Sequence, residues 1–126
     1  LQAAAPVQCL EDLDQHVVVG YIPDMIFDKE LDYLNETGVH KVRLASNSAS
    51  VQFNWVRLGY GIGIVHDFAI PSSQGIDKVL EDQISLTRSF YLIRHADDRR
   101  LERLNRFSEA LCQGIREEVS RLEAGA

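Results

Sequence analysis

The sequence predicts an α/β fold: a mostly parallel sheet with helices on both faces. Three observations predict it. Short β-branched or apolar runs recur at 16–22, 39–46 and 61–66. Segments with helical spacing of apolar residues lie between them, at 28–38 and 49–58. A last apolar run, 89–95, precedes one long amphipathic segment. Strands that alternate with helices pair in parallel, and each crossover turns right-handed.

The elements follow in order. Residues 1–15 form an approach segment in which "AAAP" is linker-like and "LEDLDQH" makes a helical turn at most. "HVVVGYI", 16–22, reads as a buried strand that Pro23 and Asp24 turn aside. "DKELDYLNETG" reads as a short helix with Asp28 as cap, Leu31 and Leu34 on one face and Gly38 beyond its end. "VHKVRLAS", 39–46, alternates and reads as a strand.

The next helix is capped by Asn47 or Ser48, and Val51, Trp55 and Leu58 form its core face. Phe53 and Val56 widen that face, while Phe53 and Arg57 also fall where a partner subunit would meet them. Gly59 ends it, and "GIGIVH" reads as a buried strand. "AIPSSQG" is a loop, "IDKVL" a short strand and "SFYLIRH", 89–95, a strong strand. From Asp97 on, one helix carries the stripe Leu104, Phe107, Leu111, Ile115, Val119 and Leu122, with Gly114 as a weak point.

Composition narrows the function. The 126 residues suit one ordinary domain, and 45% are apolar. Net charge is −6, which argues against a grip on a nucleic acid backbone. Arg94, Arg99, Arg100, Arg103 and Arg106 cluster, but acids interleave with them, as on a solvated helix face. No apolar run is long enough for a membrane span, and the start has no secretion signal. The only Met is Met25, so the chain reads as a piece of a longer protein. Cys9 and Cys112 match no metal or redox spacing and read as two free thiols of a cytoplasmic protein. The four histidines are scattered, so no metal or other cofactor is expected.

Gly59, Gly61 and Gly63 raise the question of a phosphate loop. A nucleotide site needs strand, glycine loop and helix in that order. Here the order is helix, glycines, strand, so the glycines meet the negative end of the helix dipole. They read instead as a helix terminator and as two side-chain-free positions where backbone or helix approaches closely. Attention moves to the other end of that helix. "LASNSAS" is strand, small polar loop and helix N-terminus, and Ser46, Asn47, Ser48 and Ser50 offer polar groups beside free N–H groups. Ligands of parallel sheets bind beyond strand C-termini, so Tyr21, Ile22 and Pro23 and then His66, Asp67 and Phe68 belong to the same edge. His66 beside Asp67 admits a catalytic dyad or plain loop residues, and no nucleophile elbow accompanies it.

The segment "VRLASNSASVQFNWVRLGYGIGIVHDF" resembles the effector-binding domain of LysR-type transcriptional regulators. That family has a strand, a Ser/Asn turn, a helix ending V-x-x-G-x-G-I, and then an apolar strand and a loop; here these are Val56, Gly59, Gly61, Ile62 and the loop through Pro71. "FYLIRH" before the last helix and "DL-x-x-H" near the start extend the likeness over about residues 9–120. His66-Asp67 stands where the family usually has Pro.

The resemblance implies a periplasmic-binding-protein-like fold of which this chain holds one part. Residues 16–88 correspond to the second effector-binding subdomain, and 89–126 to a strand and helix returning to the first. It implies a small effector in an inter-subdomain cleft, touched from this side by Ser46, Asn47, Ser48, Tyr21, Ile22 and His66, and the free N–H groups at the start of the helix after Asn47 suit an anion such as a carboxylate. With most of the first subdomain missing, effector affinity should be weak. Leu104, Leu111 and Ile115, with Phe53 and Arg57, would meet another copy in a homodimer, or the last helix would fold back. DNA would be reached only through an N-terminal winged helix-turn-helix outside this chain, and no membrane is involved. Two other readings remain beside this ligand-sensing module: a fragment of a solute-binding protein, and a small hydrolase-like α/β enzyme using His66 and Asp67.

Overall fold

A three-stranded parallel sheet anchors the chain, in the order β2-β1-β3. The computed structural model describes residues 5–39, 41–72 and 75–126. Strand β1 is Val18–Gly20, β2 is Leu44–Ala45 and β3 is Ile62–Gly63. Val19 pairs with Leu44 on one side and with Gly63 on the other. As central strand, β1 is the most buried: Val18 and Val19 are 3% and 1% exposed, and with Leu13 they form the apolar core. His16, Thr37 and Gln52 are buried with them, and the Nε2 of His16 has no hydrogen-bond partner among the described residues. The family-level expectation of an α/β fold with parallel strands is met.

The chain divides into two compact units. The first is Leu1–His66 with Ser73–Thr87, and the second is Asp67–Ser72 with Arg88–Ala126.

In the first unit, helix α1 is Ala49–Arg57. Ser48 is its N-cap and accepts from the Val51 N–H at 3.4 Å. Gly59 follows its end at φ +77°, where a side chain would be strained. The glycines of β3 act as the sequence predicts. A Cβ on Gly61 would lie 2.4 Å from the Val17 carbonyl oxygen. On Gly63 it would lie 2.9 Å from Cγ2 of Val56. The absent side chains let a neighbouring strand and α1 close on β3.

The inward face of α1 is a correction. Val51 and Leu58 are exposed (38% and 62%), and Trp55 is only half-buried. Gln52 is buried instead, because its side-chain Nε2 donates to the Ser46 carbonyl at 2.6 Å, and Val56 sits over Gly63.

Other expectations shorten or fail. The approach segment contains a 3-10 helix, Leu10–Gln15. The helix expected over 28–38 is two 3-10 turns, Lys29–Leu31 and Asn35–Thr37. Asp28 accepts from the Glu30 N–H and Asp32 from the Asn35 N–H, and such local bonds compete with the helical ladder. Gly38 ends the second turn at φ +71°. The strand expected at 39–46 pairs only at Leu44–Ala45, and His40 lies outside the described residues. The strand expected at 76–80 is absent among the described residues. Leu80 has φ +59°, and its carbonyl accepts from Gln83 and Ile84, so the chain turns there.

In the second unit, the expected loop over 69–75 begins as a 3-10 helix, Asp67–Ser72, while Ser73 and Gln74 lie outside the described residues. The strand expected at 89–95 is irregular, with Phe90, Tyr91 and Ile93 74–88% exposed. A strand forms only with a partner, and no described segment pairs with this one. Arg94 instead holds the segment on helix α2, Glu102–Glu123, donating to the Leu104 carbonyl, Ser108 Oγ and Asn105 Oδ1 at 2.7–3.1 Å. The last helix does not start at Asp97. A 3-10 stretch, Ala96–Arg100, comes first, and the extended Leu101 (φ −96°, ψ 98°) separates the two. The 3-10 helix of Asp67–Ser72 packs on α2.

Candidate functional site

All three strands run parallel, so their C-termini open at one edge of the sheet. Tyr21 and Ile22 follow β1, Ser46–Ser48 follow β2, and His66 follows β3 after two residues more. Because β1 is central, Tyr21 and Ile22 lie between the other two strand ends. The Ser46 N–H donates to the Gly20 carbonyl at 3.0 Å and fixes that neighbourhood.

The loop into α1 consumes part of its own polarity. Ser46 Oγ accepts from the Ser48 N–H at 3.1 Å, and Ser48 Oγ caps the Val51 N–H. Two of the polar groups that the sequence offers to a ligand are thus engaged in building the turn. The first-turn amides of Ala49 and Ser50 lack helical acceptors by position and remain at the positive end of the helix dipole. Asn47 is exposed, and its amide Nδ2 reaches Sδ of Met25 at 3.1 Å. Ser46, Tyr21, Ile22 and His66 are half-buried.

Tyr33 joins two of the predicted residues, and sequence reasoning missed it. Its ring meets Tyr21 edge-on at 6.0 Å and His66 edge-on at 6.0 Å. Its hydroxyl reaches His66 Nε2 at 3.5 Å. An aromatic residue between Leu31 and Leu34, off their shared face, is the only signal the sequence carried. Beside these rings lies a cavity of about 580 Å³. Its lining includes Tyr21, Tyr33, Leu34, Val42 and Gln52, but not Ile22, Ser46, Asn47, Ser48 or His66.

The expected interface residues are in part accessible. Arg57 is exposed and bonds Asn54, whereas Phe53 is half-buried. On α2, Ile115 and Phe107 are exposed (52% and 64%), while Leu104 and Leu111 are half-buried. Cys9 and Cys112 are free thiols. Among the described residues no three His, Cys, Asp or Glu side chains gather as metal ligands, and no helix is long and apolar enough to cross a membrane.

Comparison with known proteins gives one family. The profile of the LysR substrate binding domain matches residues 1–115 of the 126. No curated protein and no solved structure matches the chain. A profile match over nine-tenths of the sequence, on a parallel sheet whose strand ends gather polar groups, carries one conclusion: the chain belongs to the LysR substrate-binding domain family, the effector-binding module of LysR-type transcriptional regulators.

Proposed function

We propose that this module takes a small anionic effector, a carboxylate, at the strand C-termini. Asn47 and the Ala49 and Ser50 amides face the anion, and Tyr21, Ile22, Ser46, Ser48 and His66 shape the rest. The observation that supports this most is the junction of β2 with α1, where a polar loop meets a helix N-terminus at the shared strand edge. Effector binding would bias the regulator between two arrangements and so alter transcription, with DNA held elsewhere in the protein and no chemistry performed on the effector. The setting is the cytoplasm. The test is an NMR titration of the chain with simple carboxylates, benzoate and acetate among them. Shifts confined to Asn47–Ser50 and Tyr21–Ile22, weakened in Asn47→Asp, support the reading. A carboxylate that leaves those amides unmoved sinks it.

The same module pairs with a second copy through Arg57 and Phe53 of α1 and Leu104, Leu111 and Ile115 of α2. The exposure of Phe107 and Ile115 within the apolar stripe of α2 favours this. Sedimentation should show a dimer that Ile115→Asp dissociates; a wild-type chain that stays monomeric at high concentration ends this reading.

A further inference from the structure

The cavity of about 580 Å³ lies inside the first compact unit, bounded by β1 and by the turns through Leu31 and Leu34. Its size falls within the span of small-molecule sites, roughly 300–1,000 Å³, and its walls mix apolar and aromatic side chains with the polar Lys29, Asp32, Asn35 and Gln52. Tyr33 and Tyr21 stand edge to face on one side, and Leu34 and Val42 supply aliphatic wall. The charged lining residues, Lys29 and Asp32, carry opposite signs, and Asp32 already accepts from the Asn35 N–H. A carboxylate would therefore meet no net positive field here, unlike at the N-terminus of α1.

Gln52 supplies direction. It is 6% exposed, and its Nε2 is committed to the Ser46 carbonyl. Among the described residues nothing donates to its carbonyl oxygen, Oε1. That oxygen is not among the buried atoms left without a partner, so water reaches it, and an N–H or O–H from a ligand would take the place of that water.

We propose that this cavity is a second binding site, for an uncharged aromatic or heteroaromatic molecule with one N–H or O–H donor. The site shares Tyr21 with the anion seat, but Ile22, Ser46, Asn47, Ser48 and His66 do not line it. Three probes on the unaltered chain test this by amide-resolved NMR: indole, 1-methylindole and benzoate. Indole should shift the Gly20, Leu34, Val42 and Gln52 amides saturably. 1-Methylindole, with the same ring and no donor, should bind about tenfold more weakly. Benzoate should leave these four amides in place. Val42→Phe, which fills the cavity, should abolish the indole shifts while keeping a dispersed spectrum. The proposal is overturned if indole leaves the four amides unmoved, if benzoate shifts them as strongly, or if 1-methylindole binds as well as indole. Loss of dispersion in Val42→Phe leaves the three-probe comparison to decide.

Discussion

Val56 of α1 sits directly over Gly63 of β3: a Cβ on Gly63 would lie 2.9 Å from Cγ2 of Val56. The absence of a side chain on β3 therefore sets the height of α1, and with it the position of the polar loop at the helix N-terminus. Gly63→Val should cost about 1–3 kcal/mol by overpacking. Gly61→Ala should cost at least as much, because its Cβ would face the Val17 carbonyl, which is backbone and cannot rotate away. Urea denaturation measures both. Wild-type stability in Gly63→Val would mean that α1 does not close on the sheet as described, and in Gly61→Ala that the Val17 backbone does not approach β3 so closely.

Gly114 gives the opposite sign. It lies inside α2, and a Cβ there would meet nothing within 4 Å. Gly114→Ala removes backbone entropy from the unfolded chain without a steric cost, and should stabilise the protein by about 0.5–1 kcal/mol. The melting temperature should rise. A fall would indicate that this face of α2 is packed against something.

What the sequence made legible is what depends on near neighbours. Helix α1 was readable because its cap, Ser48, and its terminator, Gly59, lie within a turn of it. The close approach at Gly61 and Gly63 was readable because two missing side chains on one strand have few other uses. The shared edge of the strand ends rested on a different cue, the alternation of strands with helices that makes the strands parallel. The failures are non-local. Residues 89–95 have every local property of a strand, but pairing needs a second strand, and Arg94 is tied to α2 instead. The inner face of α1 is set by Gln52 reaching the Ser46 carbonyl, a contact that outweighs the apolar stripe of Val51 and Leu58. Tyr33 gains its place through rings 12 and 33 positions away in sequence.

The loop Ser46–Ser48 should divide into a structural residue and a binding one. Ser48 caps α1, so Ser48→Ala should cost about 0.5–1 kcal/mol of stability. Asn47 is exposed, and among the described residues its side chain makes only the sulfur contact, so Asn47→Ala should change stability by less than about 0.5 kcal/mol. If the anion seat is correct, Asn47→Ala still weakens carboxylate binding several-fold. Denaturation and titration run on the same two variants separate these effects.

Arg94 should act as the clasp of the second unit. It satisfies the Leu104 carbonyl at the start of α2 together with Asn105 and Ser108. Arg94→Met keeps the aliphatic stem but removes these bonds, and should cost about 1–2 kcal/mol, each charged bond being partly exposed. Hydrogen exchange should quicken in the first turns of α2 and in residues 89–95, and should stay unchanged at Val18–Gly20. Uniform quickening would contradict a local clasp.

Acid should release the approach segment before the sheet. The Asp12 carboxylate accepts from the Gln8 N–H at 2.9 Å and the Cys9 N–H at 3.1 Å, and these bonds hold its pKa below the ordinary 3.8. A depressed folded value means that the ionised group stabilises the fold above the unfolded pKa. That contribution is lost as pH falls through the still lower folded value. The stability difference between wild type and Asp12→Asn should therefore be constant from pH 7 to about 5, then shrink below about 4. Urea melts across that range measure it. A difference that persists unchanged to pH 3 would show that the charge on Asp12 is not what holds the two amides, and that the turn at Leu10–Gln15 stands on other contacts.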